Sequence, residues 1–188
     1  GNDIDGEAAG DNSGHSVSLS SDGNILAIGA TNNFGNGYSH GHVRIYENIS
    51  GSWSQIGNDI DGEAAYDRSG CSVSLNGNGN TVAIGARYND GNGSNSGHVR
   101  IYQNISGSWS QIGNDIDGEA ASDNSGVAVS LSSDGNTVAI GARYNGGNGS
   151  NSGHVRVFSL VLPSQSPPCS GCTDSLALNY DSLANTDD

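Results

Sequence analysis

Short apolar runs recur along the chain, separated by stretches of Gly, Asn, Ser and Asp. One set reads Cys71–Leu75 (CSVSL), Thr81–Ala86 (TVAIGA), His98–Gln103 (HVRIYQ) and Ser108–Ile112 (SWSQI). These runs are β-branched or aromatic and bounded by turn formers, which predicts strands. No stretch places apolar residues at helical spacing. The run CSVSL alternates, putting Cys71, Val73 and Leu75 on one face and Ser72 and Ser74 on the other. Asp22-Gly23 and Asp134-Gly135 supply the positive φ that a tight hairpin between the first two strands needs.

The set is written three times. GNDIDGEAA begins at Gly1, Gly57 and Gly113, a period of 56 residues, and the first two copies differ at 15 of 56 positions. Four antiparallel strands per tandem unit are the recipe for a β-propeller blade. An apolar face set against a small-residue face suits stacking of successive sheets. Gly85 and Ala86 keep the second strand thin where blades approach. The fold class is therefore all-β: three propeller blades at 1–162, with repeats 1–56, 57–112 and 113–160. A Pro/Ser linker (163–168) and the start of a small Cys-containing acidic module (169–188) follow.

Three segments carry a resemblance to a known family: Ser-Gly-x-Ser-Val-Ser-Leu, then Asp-Gly-Asn-Thr-Val-Ala-Ile-Gly-Ala, then Ser-Gly-His-Val-Arg-Ile-Tyr. They stand at Ser13–Leu19, Asp22–Ala30 and Gly41–Tyr46, and recur in the other two copies. They resemble FG-GAP-type repeats, the blades of integrin-α-like propellers. The resemblance implies an extracellular propeller, secreted or cell-surface, used for adhesion or ligand binding. Such propellers are larger than three blades, so the chain is expected to be an excerpt whose partners include the remaining blades. Integrin-type blades often hold calcium in the first hairpin. Here that hairpin offers one carboxylate at most (Asp22 or Asp134, with Asn78 in the second copy), so that site is not carried over.

Charge sharpens the picture. The 188 residues hold 20 acidic side chains against 6 basic ones, a formal net charge of −14. That sign excludes nucleic-acid binding through a basic face. No apolar run is long enough to span a bilayer, so no membrane insertion is expected. Twelve carboxylates come from one loop, the connection from each fourth strand to the next blade: Asp3, Asp5, Glu7 and Asp11; Asp59, Asp61, Glu63 and Asp67; Asp115, Asp117, Glu119 and Asp123. Strand alternation puts this loop and the long second-to-third connection at the same end of each blade. Two uses are open. The carboxylates can bind a cation, calcium being the candidate, or a cationic partner. They can instead close Asx-turns and otherwise meet solvent.

The remaining chemistry is sparse. His42, His98 and His154 open the third strand of each copy, each two residues before an Arg; one His per blade reads as a packing position. Trp53 and Trp109 read as packing residues too. No nucleophile elbow, zinc-protease motif or P-loop occurs, so no enzyme and no catalytic residue is expected. Cys169-Ser-Gly-Cys172-Thr-Asp resembles small modules appended to secreted marine microbial proteins, and Cys71 reads as a buried thiol. The leading reading is a binding or adhesion module with an unidentified protein or glycan ligand. The alternatives are an architectural repeat of a large secreted protein, and a propeller hydrolase or lyase whose active site lies elsewhere.

Overall fold

The valine-, isoleucine- and tyrosine-rich runs pair into three antiparallel sheets, one per repeat. The computed structural model describes residues 3–34 and 38–160, so the linker and the Cys169/Cys172 module lie outside the described residues. The first sheet contains β1 (Ser13–Leu19), β2 (Ile25–Ala30), β3 (His42–Ile49), β4 (Ser52–Gln55) and β5 (Ile60–Asp61). The second repeats it with β6 (Ser69–Leu75), β7 (Thr81–Ala86), β8 (His98–Ile105), β9 (Ser108–Gln111) and β10 (Ile116–Asp117). The third holds β11 (Ser125–Leu131), β12 (Thr137–Ala142) and β13 (His154–Ser159). The protein is all-β, and no described helix is long and apolar enough to cross a membrane.

Each outer strand is split. β4 pairs the far half of β3, and β5 pairs its beginning, with His42 opposite Asp61 and Val43 opposite Ile60. The acidic connection therefore starts as a strand segment, which the polar sequence Asn-Asp-Ile-Asp does not announce. Burial of Ile60 holds it there.

The sheets stack as successive blades. Ala27, Val43 and Ile45 of the first blade pack on Val73, Leu75, Val82 and Ile84 of the second. Ala83, Val99 and Ile101 of the second pack in the same way on Leu131, Val138 and Ile140 of the third. The serine face is bonded rather than merely small. Ser16 Oγ donates to the Gly70 carbonyl and Ser72 Oγ to the Gly126 carbonyl, at 2.8 and 2.7 Å. Ser18 Oγ accepts from Leu75 N–H and Ser74 Oγ from Leu131 N–H, both at 2.9 Å. A register shift between Ser69 and Ser72 breaks the strict alternation expected of CSVSL. Cys71 therefore does not join Val73 and Leu75; its Sγ donates to the carbonyls of Gly85 and Gly126. Burial pushes its thiol pKa up.

The stack leaves an apolar face at each end. Val17 and Leu19 are 62% and 56% exposed, whereas Val73 and Leu75, the same positions one blade on, are 8% and 6% exposed. Val155 and Val157 are exposed at the other end.

The first hairpins are closed by side chains. Asp22 accepts from the Ser20 hydroxyl, and from the backbone and side-chain amides of Asn24 at 3.0 Å each. These bonds, the Ser20 hydroxyl foremost, lower the Asp22 pKa to about 2. In the second copy Asn78 accepts from Asn80 N–H in the same way. A carboxylate with a depressed pKa contributes above its ordinary value of 3.8 and loses that contribution as pH falls through about 2. An NMR titration of Asp22 is accordingly expected to show its midpoint near 2, with the turn amides unchanged at pH 3.

Candidate functional site

The second-to-third and blade-to-blade connections share one end of the stack, as alternation along each strand requires. They are also bonded to one another. Ser69 N–H donates to the His40 carbonyl and Gly62 N–H to the Gly41 carbonyl, each at 2.8 Å. Ser125 to Ser96 and Gly118 to Gly97 repeat this one blade later. Each acidic loop thus lies across the long loop of the preceding blade.

The twelve loop carboxylates divide into distinct environments. Asp11, Asp67 and Asp123 are buried. Asp67 Oδ2 accepts from Ala64 N–H at 3.1 Å and from the Asn89 side chain at 2.9 Å; Asp11 and Asp123 do the same with Ala8 and Asn33, and with Ala120 and Asn145. These three close the loop. Asp5, Asp61 and Asp117 present their backbone carbonyls to Arg44, Arg100 and Arg156. Asp3 and Asp5 are exposed at the start of the first loop.

The rest converge on the histidines. His42 Nδ1 lies 3.7 Å from Glu7 Oε2 and 3.6 Å from Asp59 Oδ2. His98 Nδ1 lies 3.7 Å from Glu63 Oε2 and 3.5 Å from Asp115 Oδ2. Each cluster joins the Glu of one acidic loop, the first residue of a third strand and the Asp of the next loop. In the third blade His154 meets Glu119 at 3.5 Å. His42 and His98 are fully buried, whereas the carboxylates reach the surface. Burial and the neighbouring Arg100 lower the His98 pKa, against the pull of Asp115. Burial raises that of Glu63. The third-strand histidines thus take part in the acidic face. The sequence signal was their fixed position in the 56-residue period, but the convergence spans two repeats and is invisible to alternation within one.

Each arginine ties this face to its blade. Arg100 Nη2 donates to the Asp61 carbonyl at 2.6 Å, Nη1 lies 3.7 Å from Glu63 Oε1, and the guanidinium sits over the Tyr102 ring. Beside the acidic loops stand three exposed aromatics, Phe34, Tyr38 and Tyr66, with the last two stacked. Tyr66 holds φ at +73°, a backbone region that bulky residues rarely enter. Trp109 is partly buried and donates from Nε1 to the Ile56 carbonyl at 3.0 Å, the packing role expected of it.

A family model described as FG-GAP repeat matches residues 60–102 and 116–158. No curated protein matches the chain. Among solved structures it is similar to a protein from Bacteroides uniformis provisionally named 6-phosphogluconolactonase, at 15% identity and a TM-score of 0.53, over 78% of this chain and 37% of that one. It is also similar to the hydrazine synthase of Kuenenia stuttgartiensis, at 12% identity and a TM-score of 0.48, over 77% of this chain and 33% of that one. The periplasmic gluconolactonase of Pseudomonas aeruginosa aligns at 18% identity and a TM-score of 0.41, over 68% of this chain and 36% of that one. The chain therefore spans about a third of these proteins, and at 15% identity its likeness to the first is one of fold.

Proposed function

As a protein built of FG-GAP repeats, this chain is, we propose, part of an extracellular binding module whose ligand-facing surface is the acidic loop face. One observation carries the reading: a single loop, repeated three times, brings exposed carboxylates to the same end of every blade. A rigid sheet scaffold that presents loops at one end is a common arrangement for recognition. Exposed Phe34, Tyr38 and Tyr66 on that face add the aromatic area that anchors partners. The left-handed backbone of Tyr66 recurs at the same position of the other copies, at Gly10 and Ser122, and belongs to the turn of the loop.

The ligand is a basic protein surface or a cation, calcium among them, drawn by the negative field of the face. Further propeller blades are the partners proposed for the two apolar end faces, since the same residues are covered by a neighbouring blade in the middle of the stack. The lactonase name of the first fold relative belongs to that protein, and at 15% identity it is not carried to this chain.

Arrays of basic and acidic peptides and of glycans, probed with the chain, test the reading. Basic peptides are expected to bind, and Glu7→Gln, Glu63→Gln and Glu119→Gln together should weaken them at least tenfold at low salt. Equal binding by the triple variant, or no retained ligand at all, would favour a purely architectural repeat.

A further inference from the structure

We propose that the cluster Glu63–His98–Asp115 is a binding site for a divalent first-row transition ion of the zinc type. The inference goes beyond the acidic face as a docking surface and holds whether or not a macromolecule binds there.

Geometry and donor type point to the ion. Each cluster offers one imidazole nitrogen and two carboxylate oxygens, all within 4.8 Å of one another. The nitrogen-to-oxygen separations of 3.5–3.7 Å around His98 Nδ1 are close to the edge of a tetrahedron with metal bonds near 2.0–2.1 Å, which is about 3.3 Å. Three protein ligands leave the fourth position open. An imidazole donor selects zinc, copper, iron or nickel, whereas calcium takes oxygen ligands.

A second observation is independent of the carboxylates. His98 is 1% exposed, and neither of its ring nitrogens has a hydrogen-bond partner. A buried polar group left in that state is costly. The rival arrangement, an imidazolium bonded to both acids, calls for N–H to carboxylate distances of about 2.7–2.9 Å. The observed separations are far longer. Arg100 approaches Oε1 of Glu63 and leaves Oε2 facing the histidine, which orients the ligand oxygen. The same three side chains meet around His42 in the preceding copy, but the ring with both nitrogens unpartnered is that of His98. In the third copy His154 and Glu119 stand without a third ligand among the described residues.

Zinc titration of the full chain, followed by calorimetry and by metal analysis after gel filtration, tests the proposal. At least one equivalent of zinc is expected to bind, and Asp115→Asn should remove the equivalent held at His98, weakening zinc there at least tenfold. Asp115 is partly exposed, so this variant should keep the native circular dichroism, a check less certain to be met by the more disruptive His98→Ala. Cobalt should give the intense visible absorption of a four-coordinate site, and Glu63→Gln should diminish it. The proposal is overturned if no zinc binds, if Asp115→Asn keeps as much zinc as the unaltered chain, or if calcium displaces zinc at equal concentration. The last result would leave the cation-binding reading of the acidic face standing while removing this one.

Discussion

Gly85→Ala is expected to lower the unfolding free energy by about 3 kcal/mol, the upper end of the overpacking range, while Gly141→Ala changes it by less than about 0.5 kcal/mol. The two glycines occupy the same place in successive copies of TVAIGA. A Cβ on Gly85 would fall 2.0 Å from the Gly126 carbonyl oxygen of the next blade and 2.4 Å from Ser72 Oγ. The obstacle is backbone, and the carbonyl it strikes is the one that Ser72 and Cys71 bond. The Ser72 hydroxyl can rotate but the Gly126 carbonyl cannot, so the backbone between the two blades must shift. Gly29 meets Gly70 in the same way at the first interface, with its Cβ 2.2 Å from the carbonyl oxygen. At Gly141 the nearest atom is Ala128 Cβ at 3.6 Å, an ordinary contact. Urea unfolding of the two variants in parallel gives the comparison. Equal losses would show that the glycine serves its own strand rather than the contact between blades.

Arg100→Ala is expected to cost about 3 kcal/mol, and Arg156→Ala about 1 kcal/mol. Arg100 is almost wholly buried, and its removal leaves the Asp61 carbonyl without its donor and Glu63 without its cation. The aliphatic stem and the face of Tyr102 lose their packing as well. Arg156 makes the equivalent bonds to Asp117 and Glu119, but its side chain is 22% exposed, so water replaces part of what is lost. Arg100→Lys should recover less than half the loss, because a single ammonium cannot serve the carbonyl and the carboxylate as a fork does. Thermal unfolding read by circular dichroism would show the ordering. Equal effects at both sites would mean that burial does not govern the contribution of the arginine.

Much of this arrangement is legible before any coordinates. Val73, Leu75, Val82 and Ile84 are apolar at strand spacing, and the 56-residue period states that whatever they pack against is a copy of themselves. That suffices for blades, their order and the end at which the acidic loops gather. Three features are hidden for physical reasons. Ile60–Asp61 forms a strand only because Ile60 enters the inter-blade core, and a two-residue strand has no periodicity to detect. Cys71 turns toward Gly126 because a bulge interrupts alternation. The His98 cluster assembles from three separate stretches, its Glu and Asp coming from successive acidic loops. Its members become neighbours only once blades stack, so a reading of one repeat at a time assigns the histidine to packing alone.

Stacking of the copies is therefore the premise on which the acidic face and its histidine clusters rest, and residue-resolved hydrogen exchange examines it directly. Gly77 N–H donates to the Ser133 carbonyl of the next blade, and Ser21 N–H to the Gly77 carbonyl, each at 2.8 Å. Leu75 and Leu131 N–H donate to serine hydroxyls of the preceding blade. Ser133 and Leu19, the same positions at the two ends of the stack, have no such acceptor among the described residues. Slow exchange is expected at Ser21, Gly77, Leu75 and Leu131, and fast exchange at Ser133 and Leu19. Equal rates at equivalent positions in all three copies would contradict the stacking.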